Sequence, residues 1–240
     1  MWDMPTLKPF FTYFGGKYRV ARRYPPPESE TIIEPFAGAA GYSLRYPDAD
    51  VILNDLDPVV AGTWDYLIHV SADEIRSLPL YDGTWEKVTD LNIPQEQRWL
   101  IGWWLNKGTT APSLSPSAWM RSASSMGENY WGEGIRERIA SQVEAIRHWK
   151  VTNSSFEDVA DIDGTWFVDP PYQVAGRSYK RNDIDYDQLS SWCLSRRGQL
   201  IVCENEGATW LPFQPFGDIK ATAGRIRSGR SREAVFVRGR

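Results

Sequence analysis

Residues 31–55, TIIEPFAGAAGYSLRYPDADVILND, decide the fold predicted for this chain of 240 residues. Two short apolar runs, Thr31-Ile32-Ile33 and Val51-Ile52-Leu53, are typical of buried strands. Between them, the small residues that follow Glu34 predict a turn opening a helix, and Asp55 closes the second strand about 20 residues after the glycines. The stretch therefore predicts a βαβ unit of a Rossmann-like α/β sheet.

The rest of the chain extends this unit and interrupts it once. Further strands are predicted at 166–168, 199–203 and 233–237, and helices at 58–69, 94–107 and 186–197. A fourth helix carries Ile135, Ile139, Val143 and Ile146 on one face. We therefore assign residues 1–70 and 150–240 to one α/β domain, and residues 71–149 to a mainly helical insertion.

Composition argues against several classes of protein. No stretch reaches the ~18 consecutive apolar residues of a membrane span, and the N-terminal Met1–Pro5 lacks the features of a signal peptide. The chain has two cysteines and two histidines, which favours neither a disulfide framework nor a zinc site. We expect a cytoplasmic, metal-free protein that acts as a monomer.

The net charge of −4 is unusual for a protein that binds nucleic acid, but the basic residues are unevenly distributed. They are concentrated at 177–181 and at 219–240, where seven bases face a single acid, Glu233. This distribution predicts a basic face on an acidic molecule. A solvated basic tail is the alternative.

The most specific motif is Asp169-Pro170-Pro171-Tyr172, which follows the predicted strand at 166–168. Ligands of open α/β sheets bind at the carboxyl ends of strands. Asp169 and the Pro170 carbonyl can accept the two hydrogens of an exocyclic amino group, and Tyr172 offers a flat face for a planar base. The motif therefore favours methyl transfer to an amino nitrogen of a nucleobase. A proline-rich turn with Asp169 bound to local N–H groups is the alternative.

Three shorter motifs upstream suit a nucleoside cofactor with an amino-acid tail. The glycines of 38–41 permit a close backbone approach. Asp55 is placed to accept both hydroxyls of a ribose, although it could instead cap the next helix. In Tyr13-Phe14-Gly15-Gly16-Lys17, the lysine is a cation suited to a carboxylate.

The order Gly-Gly-Lys, Glu-Pro-Phe-Ala-Gly, Asn-Asp and Asp-Pro-Pro-Tyr resembles the Dam-type family of DNA adenine N6-methyltransferases. The resemblance covers about residues 8–70 and 150–240. It implies a Rossmann-like methyltransferase sheet, S-adenosylmethionine as cofactor, and adenine flipped out of duplex DNA as substrate. It also implies that residues 71–149 form an inserted target-recognition subdomain within the catalytic domain.

The resemblance also assigns roles to individual residues. The catalytic group is Asp169, Pro170, Pro171 and Tyr172. The cofactor group is Tyr13, Gly15, Gly16, Lys17, Pro35, Phe36, Gly38, Asp55, Leu56, Phe156 and Asp169, with Lys17 near the methionine part, Asp55 on the ribose and Phe156 on the adenine. Position in the chain adds candidates for DNA binding, namely Lys107, Arg121, Asn129, Tyr130, Tyr179, Lys180, Arg181, Arg225, Arg227 and Arg230.

The sequence leaves two other functions open. The same tetrad suits methylation of cytosine N4, of an RNA base or of a glutamine side chain. A non-catalytic DNA-binding relative would keep the fold alone. Methylation at cytosine C5 is not favoured, because neither Cys193 nor Cys203 follows a proline as that nucleophile does.

Overall fold

A computed structural model of the chain describes residues 6–121, 130–173, 183–220 and 230–240. Within these ranges, seven strands form a single sheet. The strands are β1 (Thr31–Glu34), β2 (Asp50–Asn54), β3 (Lys150–Thr152), β4 (Gly164–Val168), β5 (Gly198–Asn205), β6 (Gln214–Lys220) and β7 (Arg230–Arg238). The helices are α1 (Pro58–His69), α2 (Ala72–Ser77), α3 (Gln95–Leu105), α4 (Ala118–Arg121), α5 (Glu133–Ala140) and α6 (Tyr186–Ser195).

The sheet has the order β3-β2-β1-β4-β5-β7-β6. The first five strands in this order are parallel, and β7 lies antiparallel between β5 and β6. This is the doubly wound order 3-2-1-4-5-6 with one further strand inserted, so the direction in which successive strands are added to the sheet reverses between β1 and β4. The predicted Rossmann-like α/β sheet is confirmed, and its switch point lies where β1 and β4 end.

The central strands are buried because their side chains are apolar on both faces. Ile32 and Ile33 in β1, and the whole of β4, are inaccessible to solvent or nearly so. Helix α1 begins where predicted, with Asp57 accepting a hydrogen bond from Val59 N at 2.9 Å and Pro58 in the first turn. No helix within the described ranges is long and apolar enough to cross a membrane.

The helices of residues 71–149 pack into the same hydrophobic core as the N-terminal segment. Phe11 stacks on Trp103 of α3 with ring centroids 5.3 Å apart. Trp103 Nε1 donates to Thr63 Oγ1 of α1 at 3.2 Å, and Trp104 Nε1 donates to the Phe10 carbonyl at 2.8 Å. Helix α3 therefore anchors the N-terminal arm to the sheet domain. The assignment of 71–149 to target recognition stays a prediction.

Two predicted helices take another form. After β1 the chain makes only a 3₁₀ turn at Ser43–Arg45, because Gly38 and Ala40 have positive φ angles of 45° and 48°, which an α-helix does not allow. The predicted helix through 135–146 ends at Ala140 and resumes as a 3₁₀ turn. Gln142 interrupts it, donating to the Lys8 carbonyl at 2.8 Å and accepting from Lys8 N at 3.0 Å.

Candidate active site

A cavity of about 500 Å³ opens at the carboxyl ends of β1, β2 and β4. Its volume lies in the range of small-molecule sites, about 300–1,000 Å³. All eleven residues predicted to bind the cofactor line it: Tyr13, Gly15, Gly16, Lys17, Pro35, Phe36, Gly38, Asp55, Leu56, Phe156 and Asp169. The structure therefore brings the cofactor group and the first residue of the tetrad into one site, at the switch point of the sheet.

Asp55 ties the turn after β1 to the end of β2. Its Oδ2 accepts a hydrogen bond from Gly38 N at 3.0 Å, and its Oδ1 accepts one from Asp57 N at 2.9 Å. Helix α1 is capped by Asp57 and not by Asp55. Asp55 also lines the cavity, where a carboxylate is an acceptor suited to hydroxyl groups of a ligand.

Two aromatic rings form one wall of the cavity. Phe36, after β1, and Phe156, in the 3₁₀ turn after β3, have ring centroids 5.5 Å apart. Phe156 is fixed from behind by Trp192 of α6, whose ring centroid lies 5.3 Å away in an edge-to-face arrangement. This wall is an apolar surface on which a planar base could pack.

The cavity wall is strongly acidic. Among its lining residues that the structure describes, Lys17 is the single base, against seven carboxyl groups: Glu34, Asp55, Asp57, Glu157, Asp169, Asp183 and Asp185. The sequence analysis predicted only Asp55 and Asp169 among these seven and missed the other five. Glu34 could have been found, because it directly precedes the predicted Pro35-Phe36 turn. Burial raises the pKa of Glu34 to about 8, opposed by its hydrogen bonds from Ser43, so this carboxyl is mostly neutral at pH 7.

Lys17 forms a buried ion pair with the tetrad. Its Nζ lies 2.9 Å from Asp169 Oδ1, and it also donates to the Gly15 carbonyl at 2.9 Å. The two side chains are 8% and 19% exposed. Burial raises the pKa of Asp169 above its ordinary value, and the positive charge of Lys17 opposes that rise. The sequence interpretation paired Lys17 with the cofactor carboxylate, whereas the structure pairs it with Asp169.

Gly41 lets the arm that carries Lys17 pack against the turn after β1. A Cβ atom on Gly41 would lie 2.5 Å from Tyr18 N and 2.9 Å from Lys17 C, both of which are backbone atoms. The close approach permitted by this glycine is therefore made to the chain itself. The sequence alone predicts an approach to a ligand, so this expectation is corrected.

We predict that Gly41→Ala lowers the free energy of unfolding by about 1–3 kcal/mol, because the backbone of the arm has to move to admit the methyl group. Urea denaturation measures this change. Gly239→Ala is the matched control, since its Cβ would meet only Glu28 at 3.7 Å, an ordinary contact. Equal stability of the two variants would contradict the prediction.

The four residues of the tetrad occupy different places. Asp169 and Pro171 line the cavity, whereas Pro170 and Tyr172 are not among its described lining residues. The Tyr172 hydroxyl donates to Glu233 Oε2 at 2.6 Å, and Lys17 Nζ lies 4.8 Å from the centroid of its ring. Stacking of a base on Tyr172 stays a prediction. The base would need access to the Tyr172 ring, which packs against the hydrophobic core in this structure.

Two candidates for DNA binding meet near the cavity. Lys107 Nζ lies 5.2 Å from the centroid of the Tyr130 ring. Burial lowers the pKa of Lys107, as does the nearby charge of Arg19. The loop that follows Lys107 reaches the cavity. In it, the Thr109 carbonyl accepts a hydrogen bond from Phe14 N at 3.1 Å, and Thr110 lines the cavity wall.

The other candidates for DNA binding are less informative. Arg121 ends α4 and is exposed. Arg230 begins β7, but its side chain lies outside the described part of the structure. Asn129, Tyr179, Lys180, Arg181, Arg225 and Arg227 lie outside the described residues.

Comparison with known proteins gives distant structural likenesses only. No family model matches the chain, and no curated protein matches it. The 23S rRNA methyltransferase ErmE aligns with 93% of this chain at 8% identity and a TM-score of 0.42, and the chain spans 66% of that protein's length. A conserved hypothetical protein of Streptococcus pyogenes aligns with 86% of the chain, which covers 84% of that protein, at 9% identity and a TM-score of 0.36.

A third solved structure, a Haemophilus influenzae protein provisionally named a methylase, gives a similar result. It aligns with 88% of this chain, which covers 80% of that protein, at 12% identity and a TM-score of 0.34. Sequence identities this low do not indicate a function, so the function is inferred from the residues of the chain itself.

Proposed function

We propose that the protein is an S-adenosylmethionine-dependent methyltransferase that modifies adenine N6 of a base flipped out of DNA. The observation that carries this proposal is the position of Asp169. Its carboxylate lies at the end of β4, in the cavity that the eleven cofactor candidates line, and Lys17 holds it as an ion pair. The proposed acceptor of amino hydrogens, Asp169, and the proposed nucleoside site therefore lie in the same cavity.

The charge of the cavity fits this cofactor. S-adenosylmethionine has a sulfonium and an ammonium group. Of the seven carboxyl groups in the wall, Glu34 is mostly neutral and Asp169 is paired with Lys17, which leaves five acids and no unpaired base among the described lining residues. A dinucleotide would instead place a pyrophosphate in this acidic space, without the phosphate-binding glycine pattern. We assign the ribose hydroxyls to Asp55 and the adenine to the wall formed by Phe36 and Phe156. When bound, the cofactor supplies an electrophilic methyl group.

The protein's own residues prepare the acceptor nitrogen. The lone pair of an exocyclic amino group is delocalised into the ring, so the nitrogen is a poor nucleophile. The Asp169 carboxylate and the Pro170 carbonyl would accept its two hydrogens and favour a tetrahedral nitrogen whose lone pair points into the cavity. Lys17 stabilises the ionised form of Asp169, which is the form that accepts.

A nucleophilic cysteine is not part of this mechanism. Cys193 and Cys203 are both buried, and burial raises the pKa of each thiol. A buried thiol of raised pKa is a poor nucleophile. The site therefore supports direct transfer to nitrogen and not a covalent intermediate on a pyrimidine ring.

DNA is the proposed macromolecular substrate. Lys107 lies at the start of the loop that reaches the cavity, and its ammonium group and the Tyr130 ring that it contacts could bind a nucleic acid. Arg121 and the basic residues at 177–181 and 219–240 would contact phosphates. No metal ion is required by this scheme.

The test of the proposal is to incubate the purified protein with a deuterium-labelled methyl donor and with separate DNA and RNA substrates. Nucleosides are then analysed by mass spectrometry. We expect labelled N6-methyladenine in DNA. Label on cytosine N4 or in RNA would move the protein to the alternative substrates, and cofactor binding without transfer to any nucleic acid would favour a non-catalytic relative.

We predict that Asp55→Asn weakens binding of S-adenosylmethionine about 10- to 100-fold, because it removes a charged acceptor from the ribose position. Isothermal titration calorimetry measures the dissociation constant. Asp50→Asn, an exposed acid at the start of the same strand, is the control and should bind normally. If the two variants bind alike, the ribose assignment is wrong.

A further inference from the structure

The acceptor tetrad, Asp169–Tyr172, has few hydrogen-bond donors with which to fix its own conformation. Pro170 and Pro171 have no backbone N–H group. The tetrad therefore depends on contacts from other elements to hold Asp169 and the Pro170 carbonyl in place. Gln173 N, directly after the tetrad, is one of the first backbone donors available.

A glutamate at the carboxyl end of β5 binds this donor. Glu204 is fully buried, and its Oε1 accepts from Gln173 N at 2.5 Å and from Trp210 Nε1 at 3.3 Å. Its Oε2 accepts from Asn205 N at 2.6 Å. Three N–H groups thus fix the orientation of one carboxylate, and both of its oxygens are used.

Neighbouring contacts hold the same segment from α6 and from the chain after β5. The Tyr186 hydroxyl donates to the Pro171 carbonyl at 2.7 Å. Gln173 Oε1 accepts from Thr209 N at 3.2 Å. Glu204 and Trp210 are not among the described residues that line the cavity, so this set of contacts lies behind the tetrad.

We infer that Glu204 is a positioning residue for the acceptor site, holding Gln173 N so that Asp169, which lines the cavity, and the adjoining Pro170 carbonyl keep a fixed geometry. The inference rests on the proposed function for the acceptor role of the tetrad. Burial raises the pKa of Glu204, and the hydrogen bonds from Gln173, Asn205 and Trp210 oppose that rise. A glutamine here would set an NH₂ group against one of those N–H groups and lose that contact.

The experiment compares Glu204→Gln with Glu206→Gln in the full chain. Glu206 is an exposed acid two residues further on, 3.7 Å from Arg232, and has no part in the proposed site. Steady-state kinetics give kcat and both KM values, and hydrogen–deuterium exchange follows the peptide 168–173. We expect Glu204→Gln to lower kcat about 10- to 100-fold with KM for the cofactor unchanged, as for a small misplacement of reacting groups.

Exchange at 168–173 should accelerate in Glu204→Gln and not in Glu206→Gln, while the central strands stay protected. Trp210→Phe keeps an aromatic ring but removes one donor to Glu204. It should also lower kcat, by less than Glu204→Gln does. Unchanged kcat and unchanged exchange in Glu204→Gln would overturn the inference. If the wild-type protein transfers no methyl group, the proposed function fails, and the exchange comparison still decides whether Glu204 positions the segment.

Discussion

Asp169→Asn is expected to lower the rate of methyl transfer by about 10³-fold while S-adenosylmethionine still binds. Asparagine has nearly the shape of aspartate but lacks its charge, and it presents an NH₂ group where the carboxylate has a second acceptor oxygen. The amino group of the substrate would then lose its strongest acceptor. Single-turnover kinetics with labelled cofactor measure the rate, and calorimetry measures binding.

The matched control for this variant is Asp163→Asn. Asp163 precedes the same strand, is exposed and pairs with Arg240, so its loss should leave the rate unchanged. Asp169→Asn also leaves the buried Lys17 without its carboxylate, which destabilises the fold. The double variant Asp169→Asn/Lys17→Met removes both charges and should be more stable than Asp169→Asn but equally inactive. A rate in Asp169→Asn close to that of the wild type would remove the tetrad from the mechanism.

The central part of the fold was predictable because its strands are buried on both faces. Such strands appear as continuous apolar runs, as at 31–33 and 199–203. The edge strands were not predicted. Lys150–Thr152 is short and has two exposed residues, and Gln214–Lys220 contains Pro215 and Gly217 with an irregular register between them.

The sequence predicted which residues form the candidate site, but not which of them contact one another. Motif order placed the cofactor group at the ends of neighbouring parallel strands, where the cavity lies. The partner of Lys17 could not be predicted, because the ion pair joins residues far apart in sequence and depends on the packing of the arm against Gly41. The burial of Glu204 likewise becomes visible only once β5 and β7 are paired.

The Lys17–Asp169 pair makes stability depend on pH in a direction that can be worked out. The pKa of Asp169 is raised in the folded protein, chiefly by burial. The folded state therefore binds a proton more tightly than the unfolded state, whose aspartate has a pKa of about 3.9. Stability from this group is greatest below the unfolded pKa and is lost as the pH rises through the folded pKa. Lys17 limits that loss by stabilising the carboxylate.

Lys17→Met should raise the pKa of Asp169 further, and so extend the loss of stability to higher pH. We expect the difference in unfolding free energy between the wild type and Lys17→Met to grow from pH 5 to pH 8, towards about 3–5 kcal/mol once the unpaired carboxylate has to ionise. Urea denaturation across this range measures it. Lys8→Met, an exposed lysine on the same arm, should follow the wild-type curve. Parallel curves for Lys17→Met and the wild type would mean that Lys17 does not control the ionisation of Asp169.

The pH dependence of kcat would connect the same ion pair to the reaction. We expect the acidic limb of kcat to shift to higher pH in Lys17→Met, because only the ionised carboxylate of Asp169 accepts the amino hydrogen.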